Sequence, residues 1–125
     1  MILDTNAVSA LAGAESGLVL AAIGGSQPWL SVVVVGEFRF GILGSKQASA
    51  LAAWLGELIA ETSLLALDLE TAWHYADLRN ELRRSGRPIP SNDLWICAQA
   101  RQHDLPVLSR DAHFDHVPGV DRVAW

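Results

Sequence analysis

Four carboxylates in this 125-residue chain stand beside apolar runs. Asp4 follows "MIL", Glu37 follows "WLSVVVV", Asp93 opens "DLWICAQA", and Asp111 comes after "PVLS" with only Arg110 between. A lone carboxylate among apolar neighbours costs several kcal/mol unless something pairs with it. If these acids meet, two of them about 4 Å apart repel by roughly 4 kcal/mol at an effective dielectric of 20. Four cannot share a pocket near neutral pH without protons or a cation. Oxygen-only donors suit a hard ion, Mg²⁺ or Mn²⁺, and such ions polarise phosphoryl oxygens and activate water as a nucleophile. Singly, each acid has a plainer reading. Asp4 and Asp93 suit helix starts and Asp111 suits a turn; Glu37, with apolar residues on both sides, is the hardest to dismiss.

Whether the acids meet depends on the elements that carry them. "MIL" reads as a short strand stopped by Asp4-Thr5-Asn6, residues that favour helix caps. Short helices are expected up to Ala12 and over Gly17 to Ile23, before the turn "GGSQP". The valine run favours a strand by propensity, but Ser31 is a good N-cap, and a helix from there puts Val34, Phe38 and Ile42 on one face. Helix is therefore the expectation, with Glu37 in its second turn. Leu51, Trp54, Leu55, Leu58 and Ile59 mark a further helix, and "SLLALD" a strand. The next helix, within "LETAWHYADLRNELRRSG", turns Ala72, Tyr75, Ala76, Leu78 and Leu82 inward and stops at Gly86. Another starts near Ser91 as N-cap, and "LPVLS" and "RVAW" complete the strands. Short apolar strands alternating with helices imply a parallel sheet covered on both faces. Functional groups in such sheets gather beyond the carboxyl ends of the strands, where these acids fall.

The composition fits one globular domain over residues 1–125: half the residues are hydrophobic and 18% are charged. No apolar run is long enough for a membrane span, and "MILDTN" does not resemble a secretory signal. The single cysteine, Cys97, has no internal disulfide partner and reads as a packing residue, which points to a cytoplasmic protein. A net charge of −5 counts against nucleic-acid binding unless several acids are gathered at one metal site. Four of the nine basic residues, Arg79, Arg83, Arg84 and Arg87, fall within "RNELRRSGR". They suit a solvated helix end or an edge that contacts phosphate. Tyr75 and Phe114 read as packing residues.

In "MILDTNAVSAL", "SVVVVGEFRFGI", "PIPSNDLWICAQA" and "PVLSRDAHFDHVPGV", in that order and spacing, the chain resembles the PIN-domain ribonucleases, and within them the VapC toxins of toxin–antitoxin pairs. The resemblance runs over nearly the whole chain. It implies an α/β fold, a three-layer α/β/α domain with a central parallel sheet. It places the family's four acids on Asp4, Glu37, Asp93 and Asp111, as ligands of Mg²⁺ or Mn²⁺. It puts Thr5 or Asn6 and Ser109 at positions that seat metal-bound water or phosphate, and Asn92 and Asp115 in supporting places. The implied activity is endoribonucleolytic, by attack of metal-activated water to leave a 5′-phosphate and a 3′-hydroxyl. Arg110 or the Arg79–Arg87 group would hold the RNA backbone. The family also implies a homodimer and a cognate antitoxin that blocks the site.

Other chemistries fit less well. No glycine-rich dinucleotide fingerprint or phosphate-loop lysine motif occurs. "DTN" carries Asn6 where a phosphatase of the haloacid-dehalogenase kind would have its second acid. His113 and His116, three apart, are expected as polar residues of a surface turn rather than a zinc site. The alternatives that remain are a structure-specific DNA nuclease and a catalytically silent PIN-fold binding module. A chain of this length lacks the added helices of the first, and four intact acids argue against the second.

Overall fold

The computed structural model describes every residue, Met1 to Trp125. Strands β1 (Ile2–Leu3), β2 (Trp29–Ser31), β3 (Ser63–Leu65), β4 (Val107–Leu108) and β5 (Arg122–Val123) form one parallel sheet in the order β3-β2-β1-β4-β5. Six helices connect them: α1 (Thr5–Leu11), α2 (Ser16–Ile23), α3 (Val32–Ile42), α4 (Ala48–Glu61), α5 (Leu69–Arg84) and α6 (Ser91–His103). This is the three-layer α/β/α arrangement that the sequence implies. A short 3₁₀ turn, Ala112–His116, follows β4. No helix is long and apolar enough to cross a membrane.

The strands are short, and burial explains how they hold. Ile2, Leu3, Leu30, Val107 and Leu108 are fully buried, as parallel strands covered on both faces must be. Central β1 is paired on both sides: Leu3 lies opposite Leu30 and Leu108. The carboxyl end of β1 therefore faces the ends of β2 and β4, and the residues just past those three ends become neighbours.

The valine run is helical. Ser31 ends β2 and caps α3, its Oγ accepting from the Val33 amide at 3.1 Å. Val34, Phe38 and Ile42 are the buried face, with Phe38 packed against Trp54 of α4 at 5.7 Å between ring centres. The cap and the i, i+4, i+8 face override the β-propensity of four valines. Helix α6 has no exposed stripe over Leu94–Ala100 apart from half-buried Trp95, because it packs against both α3 and α5. Gln99, fully buried there, donates to the Leu65 and Ala66 carbonyls at 3.3 and 3.2 Å and ties the helix to the end of β3.

Two local expectations need correction. Ser91 is the first residue of α6 rather than its cap; Pro90 occupies the cap position and no side chain caps this helix. On α5 the buried line is Thr71, Leu78 and Leu82, while Ala76 is exposed and Tyr75 half-buried. The inward face is rotated because Asp68 starts the helix with a capping box to Thr71, and the Thr71 hydroxyl also reaches Gln102 of α6.

Candidate active site

Asp4 forms the floor. It leaves β1 in extended conformation and caps α1, with Oδ1 accepting from the Ala7 amide at 2.7 Å. Its Oδ2 accepts from the Ser109 hydroxyl at 2.5 Å. Ser109, just past β4, is fully buried, and its Oγ also accepts from the Asp111 amide at 2.9 Å. One serine thus holds the first and last of the four acids in register across the sheet edge. Burial pushes the Asp4 carboxyl above its ordinary value; the bonds from Ser109 and Ala7 pull it back, and the charges of Asp93 and Asp111 raise it further.

Glu37 enters from α3. Its Oε2 accepts from the Thr5 hydroxyl at 3.0 Å, and its Oε1 is buried with no hydrogen-bond partner. An unpaired carboxylate oxygen out of water is costly, and no arginine or lysine lies near enough to pair with Glu37. Asp93 arrives in the first turn of α6, beside the positive end of the helix dipole. Burial nevertheless raises its carboxyl; His113 opposes the rise, and Glu37 and Asp111 add to it. Asp93 thus links the acids at one edge of the sheet: it feels the charges of Glu37 and Asp111, and Asp4 feels those of Asp93 and Asp111.

Asp111 and His113 form the rim. Asp111 caps the 3₁₀ turn through its Oδ1, which accepts from the His113 amide at 3.1 Å. The His113 ring spans two acids, Nδ1 standing 3.0 Å from Asp111 Oδ1 and Nε2 3.0 Å from Asp93 Oδ2. Both contacts have ion-pair distance without hydrogen-bond alignment. From the sequence, His113 is expected only as a polar residue of a surface turn; the structure sets its ring between two of the acids. The available signal was its position two residues after a turn-capping Asp, with Phe114 fully buried beside it to fix the turn.

The other expected residues divide. Thr5 and Ser109 touch the acids. Asn6 is exposed on α1, in a surface dent shared with Glu15 and Arg110, and Asn92 is exposed at the start of α6. Arg110 is turned away from the acids, bound to Glu15 at 2.7 Å and lying 4.8 Å over the Trp125 ring. Asp115 stands outside the cluster: Arg122 grips both its oxygens at 2.7 and 2.8 Å and donates to the Ser109 carbonyl at 3.1 Å. It steadies Ser109 through Arg122.

The residues suit a hard divalent cation by chemistry. Every carboxylate oxygen is a hard donor, Glu37 Oε1 lacks a partner, and two neighbouring carboxyls are raised by burial and by each other's charge. As the side chains stand, no three acid or imidazole groups form a metal cage, and the His113 ring lies across Asp93 and Asp111.

Known proteins carry the same framework. The PIN-domain sequence profile matches residues 1–120. Ribonuclease VapC5 of Mycobacterium tuberculosis is 36% identical over 95 residues, covering 74% of this chain and 70% of that protein. VapC ribonuclease Y4jK of Sinorhizobium fredii is 30% identical over 131 residues, covering 97% and 94%. The crystal structure of VapBC-5 from M. tuberculosis, a member of the VapBC family of toxin–antitoxin systems, matches with a TM-score of 0.78 at 29% identity, covering 99% of this chain and 97% of that one.

Proposed function

This chain belongs to the PIN-domain family, among the VapC ribonucleases, and from that premise we propose that it is an endoribonuclease toxin using Mg²⁺ or Mn²⁺ at the Asp4–Glu37–Asp93–Asp111 edge. The observation that carries the reading is Glu37 Oε1, buried and unpartnered beside two carboxyls that burial and mutual repulsion already raise. A cation there relieves all three.

Each residue has a task that follows from its contacts. Asp4 is held from both sides, by Ala7 and by Ser109, so its carboxylate is fixed before any ligand arrives. Thr5 orients Glu37 and leaves Oε1 free. Asp111 and His113 lie at the solvent side, 42% and 26% exposed, where a phosphodiester would enter. A bound Mg²⁺ or Mn²⁺ supplies polarisation of the phosphoryl oxygen and a lowered pKa for water. For the cluster to close around an ion, His113 must yield Asp93 Oδ2 and Asp111 Oδ1. The partners that accompany this activity are the RNA substrate, a second copy of the chain and a cognate antitoxin encoded beside it.

The test uses purified chain with matched RNA and DNA strands, each with and without Mn²⁺. Cleavage of RNA alone, dependent on the ion and leaving 5′-phosphate ends, is expected. Cleavage of DNA instead would favour a structure-specific DNA nuclease. Intact RNA under all conditions, with RNA still bound, would favour a silent binding module.

A further inference from the structure

Of the nine basic side chains, Arg101, Arg110 and Arg122 are paired with carboxylates. Arg79, Arg83, Arg84 and Arg87 are not, in a chain whose net charge is −5. The side-chain hydrogen bonds of three of them reach no carboxylate: Arg79 to the Tyr75 hydroxyl at 2.8 Å, Arg83 to Asn80 Oδ1 at 3.1 Å, and Arg87 with His116 Nδ1 at 3.0 Å. Such bonds orient a guanidinium without neutralising it.

Two neighbouring surface clefts along α5 both have Arg79 and Arg83 in their walls, and together they make up the α5 groove. One end reaches Ser91 and Leu94, two residues before and one residue after Asp93 at the start of α6. The other end reaches Tyr75, whose ring stacks on Trp95 of α6 with centres 3.9 Å apart and planes 18° from parallel. Both aromatic residues are half-buried, and the Arg79 guanidinium lies 5.9 Å from the Tyr75 ring centre, so positive charge and aromatic surface adjoin there. Arg79 and Arg83 lie one helical turn apart on the same side of α5.

Resting on the nuclease reading above, we propose that this groove is an RNA subsite beside the cleavage centre: Arg79 and Arg83 hold backbone phosphates, and the Tyr75–Trp95 pair provides a platform for one stacked base. Phosphate contacts of this kind fix register, while stacking is tolerant of sequence. An apolar floor of Leu82, Ile89 and Leu94 beneath uncompensated guanidinium groups matches a nucleotide strand, which has charge on one side and flat apolar faces on the other. The groove also gives an acidic protein a way to bind RNA: positive charge is concentrated where the strand lies.

The test measures binding of a labelled 12-nucleotide single-stranded RNA of mixed sequence to Asp4→Asn protein, which leaves the probe uncut, over a range of salt. Arg79→Gln/Arg83→Gln should weaken binding at least about tenfold. It should also lower the slope of log K against log salt by about 1.4, at roughly 0.7 per lost phosphate contact on a single strand. Arg79→Lys/Arg83→Lys should keep the slope. Tyr75→Leu should weaken binding roughly tenfold with the slope unchanged. Circular dichroism melts confirm that each variant is folded. If the glutamines leave affinity and slope unchanged while the parent binds RNA, the subsite is wrong and the nuclease reading stands. If the parent binds no RNA, both fall. If polyglutamate competes as well as RNA and Tyr75→Leu has no effect, the groove takes an acidic protein segment and the RNA assignment is overturned.

Discussion

Replacing Asp4 by Asn and by Ala separates what this side chain does for the fold from what its charge does for chemistry. Alanine removes the cap on α1, worth about 1 kcal/mol. It also leaves the fully buried Ser109 hydroxyl without its acceptor, at a cost of roughly 1–3 kcal/mol. Asparagine keeps a capping oxygen for the Ala7 amide and an amide group that can still bond Ser109 Oγ. Both variants lose the buried charge, so that effect cancels between them. Asn should therefore be more stable than Ala by roughly 2 kcal/mol, or about 8 °C in Tm for a chain of this size.

Against the parent, the sign depends on pH. The folded carboxyl of Asp4 lies above its ordinary 3.8 because it is buried. Between those two values the folded state binds more protons than the unfolded state, so parent stability falls as pH rises through that window. Asparagine lacks this slope. Relative to the parent it should fare worst near about pH 4 and gain towards neutrality, measured by thermal melts without added metal. RNA cleavage should drop at least about 100-fold, the scale lost with one charge-stabilising group in a water-excluded site. An Asn variant as unstable as Ala, or one whose difference from the parent ignores pH, would refute the reasoning.

Three further outcomes are expected. Gly119 has φ +73°, and a Cβ there would stand 3.2 Å from Arg101 Nε; Gly119→Ala should cost roughly 1–2 kcal/mol by chemical denaturation and loosen the Arg101–Glu81 pair. The hydrogen bonds from Arg122 hold the Asp115 carboxyl below its ordinary 3.8, so this pair stabilises the fold above that value and the benefit fades as pH falls below it. The stability gap between parent and Arg122→Ala should accordingly be full at neutral pH and shrink in acid melts. Burial pushes the Cys97 thiol up to about 12, so Ellman's reagent at about pH 8 should leave it untouched in the native protein and titrate it fully in denaturant.

The sequence makes most of this site legible because the fold rule for parallel sheets converts strand ends into neighbours. Asp4 and Asp111 needed only the position of a strand end; Glu37 also needed Ser31, whose capping character shows that the valines turn into a helix. Contacts between residues close in space and remote in sequence are harder to read. Asp115 looks like another site acid until Arg122 is seen to hold it. Arg110 looks free until Glu15 and Trp125, from opposite ends of the chain, are found around it. His113 carries no apolar pattern of its own, and only a closed 3₁₀ turn brings its ring between Asp93 and Asp111. The rotated face of α5 has the same origin. Thr71, a polar residue, takes a core position because Asp68 and Gln102 satisfy its hydroxyl, which periodicity of apolar residues cannot signal.

A Mn²⁺ titration followed by electron paramagnetic resonance tests the cation directly, since free Mn²⁺ loses its sharp signal on binding. Parent protein should take up Mn²⁺ saturably, and Glu37→Gln, with an amide in place of the unpartnered oxygen, should lose at least about tenfold in affinity while remaining folded. Equal binding by parent and Glu37→Gln, or no saturable binding by the parent, would contradict the account.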